Sequence, residues 1–294
     1  MKKRNRKYER TSKTNRSNHT EEQKFGKKKT SYQKGKKFSK DTPTYNFHKY
    51  NQLQKEEDTK KTTVRLNRFI ANAGICSRRE ADTLIQKGLI QVNGQTVTEM
   101  GYQVNPSDTV TYNGEPIKKE KLVYVLLNKP KNYITTMDDP KDRKTVMSLV
   151  QRACEERIYP VGRLDRNTVG LLLFTNDGLL AEKLTHPSHQ VRKVYEVTLD
   201  KSLTEEAFDQ IQRGVTLEDG KATVDRIVLL EDKKVGLELH IGRNRIVRRI
   251  FESLGYEVLK LDRTVYAGLT KKDLPRGKWR FLTEKEIVRL KYIL

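Results

Sequence analysis

Apolar positions are nearly absent from residues 1–62, and a pattern starts abruptly at Thr63. Leu66, Phe69, Ile70 and Ala73 recur at helical spacing and Gly74 follows where a left-handed C-cap stands, so the first short helix ends there. Ser77-Arg78-Arg79-Glu80 has the form of a capping box, in which a hydroxyl and a carboxylate satisfy each other's orphan backbone donors ahead of Ala81, Leu84 and Ile85. The second helix runs to about Lys87 and is stopped by Gly88. Leu89 to Val92, the turn dipeptide Asn93-Gly94 and Gln95 to Val97 read as a hairpin. Two helices feeding a small sheet make an αα-β module over 63–118, closing near Ile117.

A charged bridge, Lys118 to Lys121, leads into a second domain over 122–294. Leu122 to Leu127 and Val169 to Phe174 are continuous apolar runs of strand length, the mark of strands buried on both faces. The second run is ended by the turn signal Asn176-Asp177-Gly178. Period-two alternation marks Val191 to Leu199 and Val235 to Ile241 as half-buried strands. Between them, Leu203 and Phe208 form a hydrophobic staple around Thr204 for a helix ending at Gly214. From Asn244 to Leu254 one helical face carries Ile246, Val247, Ile250, Phe251 and Leu254, and the other Arg245, Arg248, Arg249 and Glu252. Without a long βαβ period the pattern predicts an α+β domain with a mixed or antiparallel sheet.

Charge changes the picture at the N-terminus. Residues 1–62 hold 20 Lys and Arg against 7 Asp and Glu, which is +13 of the chain's +22. With Leu53 the only Leu, Ile, Val, Ala or Trp among them, they cannot offset the entropy of ordering and are expected to form a disordered basic tail. Its lysine runs and interspersed aromatics suit a polyanion, or equally a solubilising tail. The remaining +9 lies on the folded part, so nucleic acid is the leading partner class. Cys76 and Cys154 are too far apart in sequence for a disulfide framework or zinc ribbon, no apolar segment of signal or bilayer length occurs, and a cytoplasmic, non-membrane protein is expected. His186 and His189 lack the Cys or acidic neighbours of a metal site, so no metal is expected there.

The chemistry centres on Gly162-Arg163-Leu164-Asp165-Arg166-Asn167-Thr168, a loop ahead of a buried strand, where an acid set between two arginines is kept ionised at neutral pH. Taken alone, this fits a structural Asp–Arg pair at a strand end better than a catalytic acid. The whole run, continuing through Gly170-Leu171-Leu172-Leu173 and Thr175-Asn176-Asp177-Gly178, resembles the catalytic motif of the pseudouridine synthases that act on ribosomal RNA, in the RsuA and RluB branch. Leu127-Asn128-Lys129-Pro130, Lys193-Val194-Tyr195, Gly242-Arg243-Asn244-Arg245 with Val247-Arg248-Arg249, and Leu261 with Arg263 follow the family's order. The wording Leu171 to Thr175 and the closing Leu274 to Trp279 are similar to the RluB-like large-subunit enzymes. One departure is Ile246, where many relatives carry a polar residue. The module at 63–118 resembles the alpha-L RNA-binding module first known from a ribosomal protein, through Arg65 to Ala71, Gly74, Ser77 to Asp82, Ile85 to Gly88 and Val92 to Gly94.

The resemblance implies isomerisation of a uridine in ribosomal RNA without metal or cofactor, by a monomer that holds a stem-loop and everts the target nucleotide. It places Asp165 at the catalytic aspartate, which acts as nucleophile, as base at the ribose, or as electrostatic partner of the charged sugar. Tyr195 matches the active-site tyrosine, to stack on the base and share in proton transfer, and Arg248 the arginine paired with Asp165. On the module, Arg65, Arg68, Arg78, Arg79 and Lys87 are the expected RNA contacts; Arg78 and Arg79, in the first turn of a helix, oppose its dipole unless they face phosphates. Near the acid the expected contacts are Arg163, Arg166, Arg243, Asn244, Arg245 and Arg249. The rival readings are a non-catalytic ribosome-assembly factor of the same fold, which has no need of an acid amid arginines, and an RNA hydrolase, which needs a metal-binding acidic cluster or a His pair.

Overall fold

The computed structural model describes residues 63–292, so the basic tail at 1–62 lies outside the described residues. The chain opens with β1 (Val64–Arg65), α1 (Leu66–Asn72), α2 (Arg78–Gln86), β2 (Ile90–Val92), β3 (Gln95–Thr96), β4 (Gln103–Val104), β5 (Val110–Tyr112) and β6 (Glu115–Pro116). The capping box forms as its spacing dictates: Ser77 Oγ accepts from the Glu80 amide at 3.2 Å, and a Glu80 carboxylate oxygen accepts from the Ser77 amide at 2.7 Å. Asn93 and Gly94 both take positive φ (52° and 79°), the conformation a two-residue hairpin needs to match the strand twist. The sheet runs β3-β2-β5-β6, and Leu66, Ile70, Ala81, Ile85, Ile90 and Val110 fill the space between it and the two helices.

The second part contains β7 (Tyr124–Lys129), α3 (Met147–Val150), β8 (Tyr159–Pro160), β9 (Val169–Thr175), α4 (Gly178–Thr185), β10 (Lys193–Leu199) and α5 (Glu205–Arg213). It continues through β11 (Val215–Leu217), β12 (Gly220–Ala222), β13 (Arg226–Glu231), β14 (Lys234–Leu239), α6 (Ile246–Glu252), β15 (Val258–Tyr266), β16 (Leu269–Thr270), β17 (Trp279–Phe281) and α7 (Glu284–Tyr292). Among the described residues one sheet of nine strands follows the order β13-β14-β10-β15-β9-β7-β17, with β16 on β15 and β8 on β9. Only β9 and β15 run parallel, so the sheet is mixed and the class is α+β, as the pattern predicts.

The two kinds of strand signature correspond to two environments. On β7 and β9, Tyr124, Leu126, Leu171 and Leu173 face α4 and α7, while Val125, Leu127, Leu172 and Phe174 face α3 and the loop carrying Leu164. Both faces are covered, which is why those runs are continuous rather than alternating. On β10 and β14, Val197, Leu199, Leu237 and Leu239 pack beneath α5 and α6, and the alternate positions face outward. Thr204 caps α5 by accepting from the Ala207 amide at 3.2 Å, and Leu203 and Phe208 pack against the same core.

One expectation is corrected. The helix read over 244–254 is the shorter α6, because Arg245 takes a left-handed conformation (φ 46°) that puts Asn244 outside the helix. Asn176 and Asp177 follow the end of β9 where the turn signal places them, and both are buried, at 5% and 8% exposed. Asp177 caps α4 through the Leu180 amide at 3.1 Å and accepts from the Tyr124 hydroxyl at 2.8 Å, while Asn176 accepts from the Val123 amide at 2.9 Å. This corner thereby ties the entry of β7 to the exit of β9. The module is joined to the second part by an ion pair between Arg68 and Glu182 on α4, at 2.8 Å.

Candidate active site

Asp165 lies half-buried on the loop between β8 and β9, and the loop is held through its backbone. Lys129, the last residue of β7 and fully buried, donates from Nζ to the carbonyls of Thr168 (2.8 Å), Asp165 (3.1 Å), Pro130 (3.2 Å) and Arg166 (3.4 Å). The Thr168 amide closes the turn onto the Asp165 carbonyl at 3.0 Å, and Thr135 brackets Leu164 by donating to its carbonyl at 2.8 Å and accepting from its amide at 3.2 Å. Burial pushes the Lys129 ammonium down to about 8, with the charge of Asp165 pulling the other way. The carboxylate of Asp165 makes no hydrogen bond or ion pair with another described residue.

Arg248 is 8% exposed and points inward from α6. Its Nη1 donates to the Val258 carbonyl on β15 at 2.6 Å, and its buried Nε has no partner. Burial lowers the pKa of this guanidinium, the neighbouring Arg245 adds to that, and Asp165 opposes both, so acid and arginine are electrostatically coupled without a direct ion pair. Tyr195, half-buried on β10, stands across from Leu237 on β14 and Arg263 on β15. It lies close enough to Tyr266 to reinforce the effect of burial, which pushes that phenol up to about 12.

Around these three the structure separates the basic residues. Arg163 and Arg166 flank the acid and are exposed, as are Arg65, Arg78, Arg79 and Lys87 on the module. Arg68 is engaged by Glu182. Arg249 makes a two-pronged pair with Asp219 at 2.9 Å on each prong and donates from Nε to the Asn244 carbonyl at 2.9 Å, while Arg243 donates to the carbonyls of Asp219, Gly220 and Lys221 at 3.0–3.1 Å. Both are committed to the β11–β12 hairpin and present Asn244 and Arg245 outward. Arg245 keeps a half-exposed side chain beside Glu252 at 3.2 Å.

Two residues of the site carry roles that sequence reasoning did not give them, Lys129 and Arg263. Lys129 closely follows the buried apolar run Leu122 to Leu127, and that placement is the signal available in the sequence, whereas Arg263 shares its strand with Lys260, Asp262 and Thr264 and gives no such signal. Arg263 is 3% exposed, donates from Nε to the Leu171 carbonyl at 2.8 Å and stacks its guanidinium over the Tyr266 ring at 4.4 Å. Gly170, opposite it, has φ +108°, and a Cβ there would lie 2.3 Å from the Arg263 carbonyl oxygen. Among the described residues no group of three or more His, Cys, Asp or Glu is placed to hold a metal, and no helix is long and apolar enough to cross a membrane.

Comparison with known proteins follows the same division of the chain. Residues 64–110 match the S4 domain and 123–253 match RNA pseudouridylate synthase. The ribosomal large subunit pseudouridine synthase B of Bacillus subtilis is 44% identical over 233 residues, covering 77% of this chain and 95% of that protein. The dual-specificity RNA pseudouridine synthase RluF of Escherichia coli is 40% identical over 233 residues, covering 78% and 79%. A crystal structure of a pseudouridylate synthase, 29% identical, superposes with a TM-score of 0.57 over 77% of this chain and 99% of its own. The similarity runs through both the S4 module and the catalytic part, and the chain belongs to the RNA pseudouridine synthases of the S4-bearing branch that includes RluB and RluF.

Proposed function

We propose that this pseudouridine synthase converts one uridine, or very few, in large-subunit ribosomal RNA, acting as a cytoplasmic monomer on a nucleotide everted from a stem-loop. The observation that carries the reading is Asp165: its backbone is fixed by Lys129, its carboxylate is unpartnered, and the buried Arg248 lies within its field. The C1′–N1 bond of the uridine breaks, the uracil turns, C1′ joins C5, and the proton leaving C5 is balanced by one gained at N1, so no outside reactant is consumed. Asp165 meets the sugar carbon as charge develops there, and Arg248 orients the carboxylate. Tyr195 stacks on the extracted base and its hydroxyl takes part in moving the proton.

The module supplies affinity. Arg65, Arg78, Arg79 and Lys87 are exposed and face phosphates of the stem, and Arg163, Arg166 and Arg245 receive the backbone near the target nucleotide. Arg68 reaches RNA by exchanging Glu182 for a phosphate, while Arg243 and Arg249 act by holding the Asn244-Arg245 turn. The test is a map of pseudouridine in ribosomal RNA from cells carrying the native protein or Asp165→Asn. One modified position, or very few, is expected to vanish in the variant; an unchanged map would leave the chain as a ribosome-assembly factor that has kept the fold.

A further inference from the structure

The catalytic sheet is two half-sheets meeting at one seam. On one side stand β13, β14, β10 and β15, and on the other β9, β7 and β17. The seam strands β15 and β9 share only two partner positions, Asp262 with Val169 and Arg263 with Gly170. Asp165 belongs to the loop that enters β9, whereas Tyr195 is on β10 and Arg248 is bonded to β15 through the Val258 carbonyl. The separation of the acid from its tyrosine and arginine is therefore set across this short parallel ladder.

Carbonyls of alternate residues along a strand point the same way. On the edge of β9 that faces β15 and β8, the Leu173 carbonyl accepts from the Val161 amide at 2.7 Å, next to the short β8 pairing. The Leu171 carbonyl stands between the two partners, past the last ladder position of β15 and short of β8. Arg263 Nε donates to it at 2.8 Å, taking the place that a further strand amide would have filled. The guanidinium is fixed there by burial and by the Tyr266 ring 4.4 Å away, and its Nη2 is buried without a partner.

We propose that Arg263 is a positioning residue for the isomerisation, its side chain extending the β9–β15 ladder by one hydrogen bond and so fixing Asp165 relative to Tyr195 and Arg248. The proposal rests on the reaction given above. It makes a distinction by atom: Gln places an amide nitrogen as many bonds from Cα as Arg Nε, whereas Met has the length without a donor. Single-turnover rate constants at saturating ribosomal RNA, and Kd for that RNA, are measured for the native protein, Arg263→Met and Arg263→Gln. A displacement of the acid by about 1 Å costs on the order of 100-fold in rate, so the Met variant is expected to lose about that much with unchanged Kd, and the Gln variant to stay within about tenfold of native. A Met variant as fast as native, or a Gln variant as slow as Met, overturns the proposal. Should the Met variant not fold at the assay temperature, the Gln variant decides alone, a loss beyond about tenfold counting against the proposal and a smaller one for it. A native protein that makes no pseudouridine removes the reaction itself, and that result is separate from either variant's.

Discussion

Lys129 shows how one side chain organises the acid without touching its carboxylate. A buried ammonium with four backbone carbonyls around it replaces the water that this loop would otherwise need, and all four acceptors lie beside Asp165 or the Pro130 turn. Lys129→Met leaves those acceptors without their donor, and a loss of about 2 kcal/mol in unfolding free energy is expected, together with a slower turnover as the loop relaxes. The pH dependence has a definite sign. Burial holds Lys129 down at about 8 in the folded chain, below the value of about 10.4 for an unfolded lysine, so between these limits the unfolded state binds more protons and stability rises with pH. Below pH 8 both states are protonated and the cost of burying the charge is fully present. Denaturant melts of the native protein and Lys129→Met across pH 7.5–10 are the measurement, and the native curve should gain stability relative to the variant toward alkaline pH. Curves that stay parallel would remove the buried cation from the account.

The seam between β9 and β15 is the element on which the site turns. Gly170 permits it, since strands this close leave no room for a side chain: a Cβ would meet the Arg263 carbonyl at 2.3 Å and the Arg263 amide at 2.6 Å, both backbone atoms that cannot swing aside. Gly170→Ala must therefore part the strands and also strain a backbone at φ +108°. The expected result is a loss of about 3 kcal/mol or more in stability and of nearly all turnover, with RNA retained through the S4 module, read by thermal melting, single turnover and filter binding. At this scale much was legible in the sequence. The capping box at Ser77, the staple around Thr204 and the hairpin at Asn93 are local rules, and each is obeyed. What was not legible depends on long-range pairing. The burial of the Asn176-Asp177 corner follows only once β7 is laid beside β9, and the roles of Lys129 and Arg263 need partners that the chain supplies 36 or 92 residues away. The burial of Arg248 has the same origin: a helical wheel puts it on the polar side, and β15 closes over it there and gives it a carbonyl.

For the whole molecule, the proposed reading divides affinity and chemistry between two parts. One contact of the S4 module with the catalytic part is Arg68 with Glu182, and the Glu182 side chain is 62% exposed, a pairing of the kind worth no more than about 1 kcal/mol. Such a contact lets phosphates compete for Arg68 without unfolding either part. The basic segment at 1–62 is expected to extend the same logic, its 20 Lys and Arg releasing counterions from RNA. Each phosphate it neutralises steepens the dependence of log K on log salt by roughly 0.7 to 0.9. Removing residues 1–62 should therefore weaken RNA binding most at low salt, by about tenfold or more, flatten that slope, and leave the rate at saturating RNA as it was. Salt titrations of binding beside single-turnover assays separate the two effects. A shortened chain that binds normally but no longer makes pseudouridine would place the segment in the active site, and the division between an RNA-gripping periphery and a self-sufficient sheet would have to be abandoned.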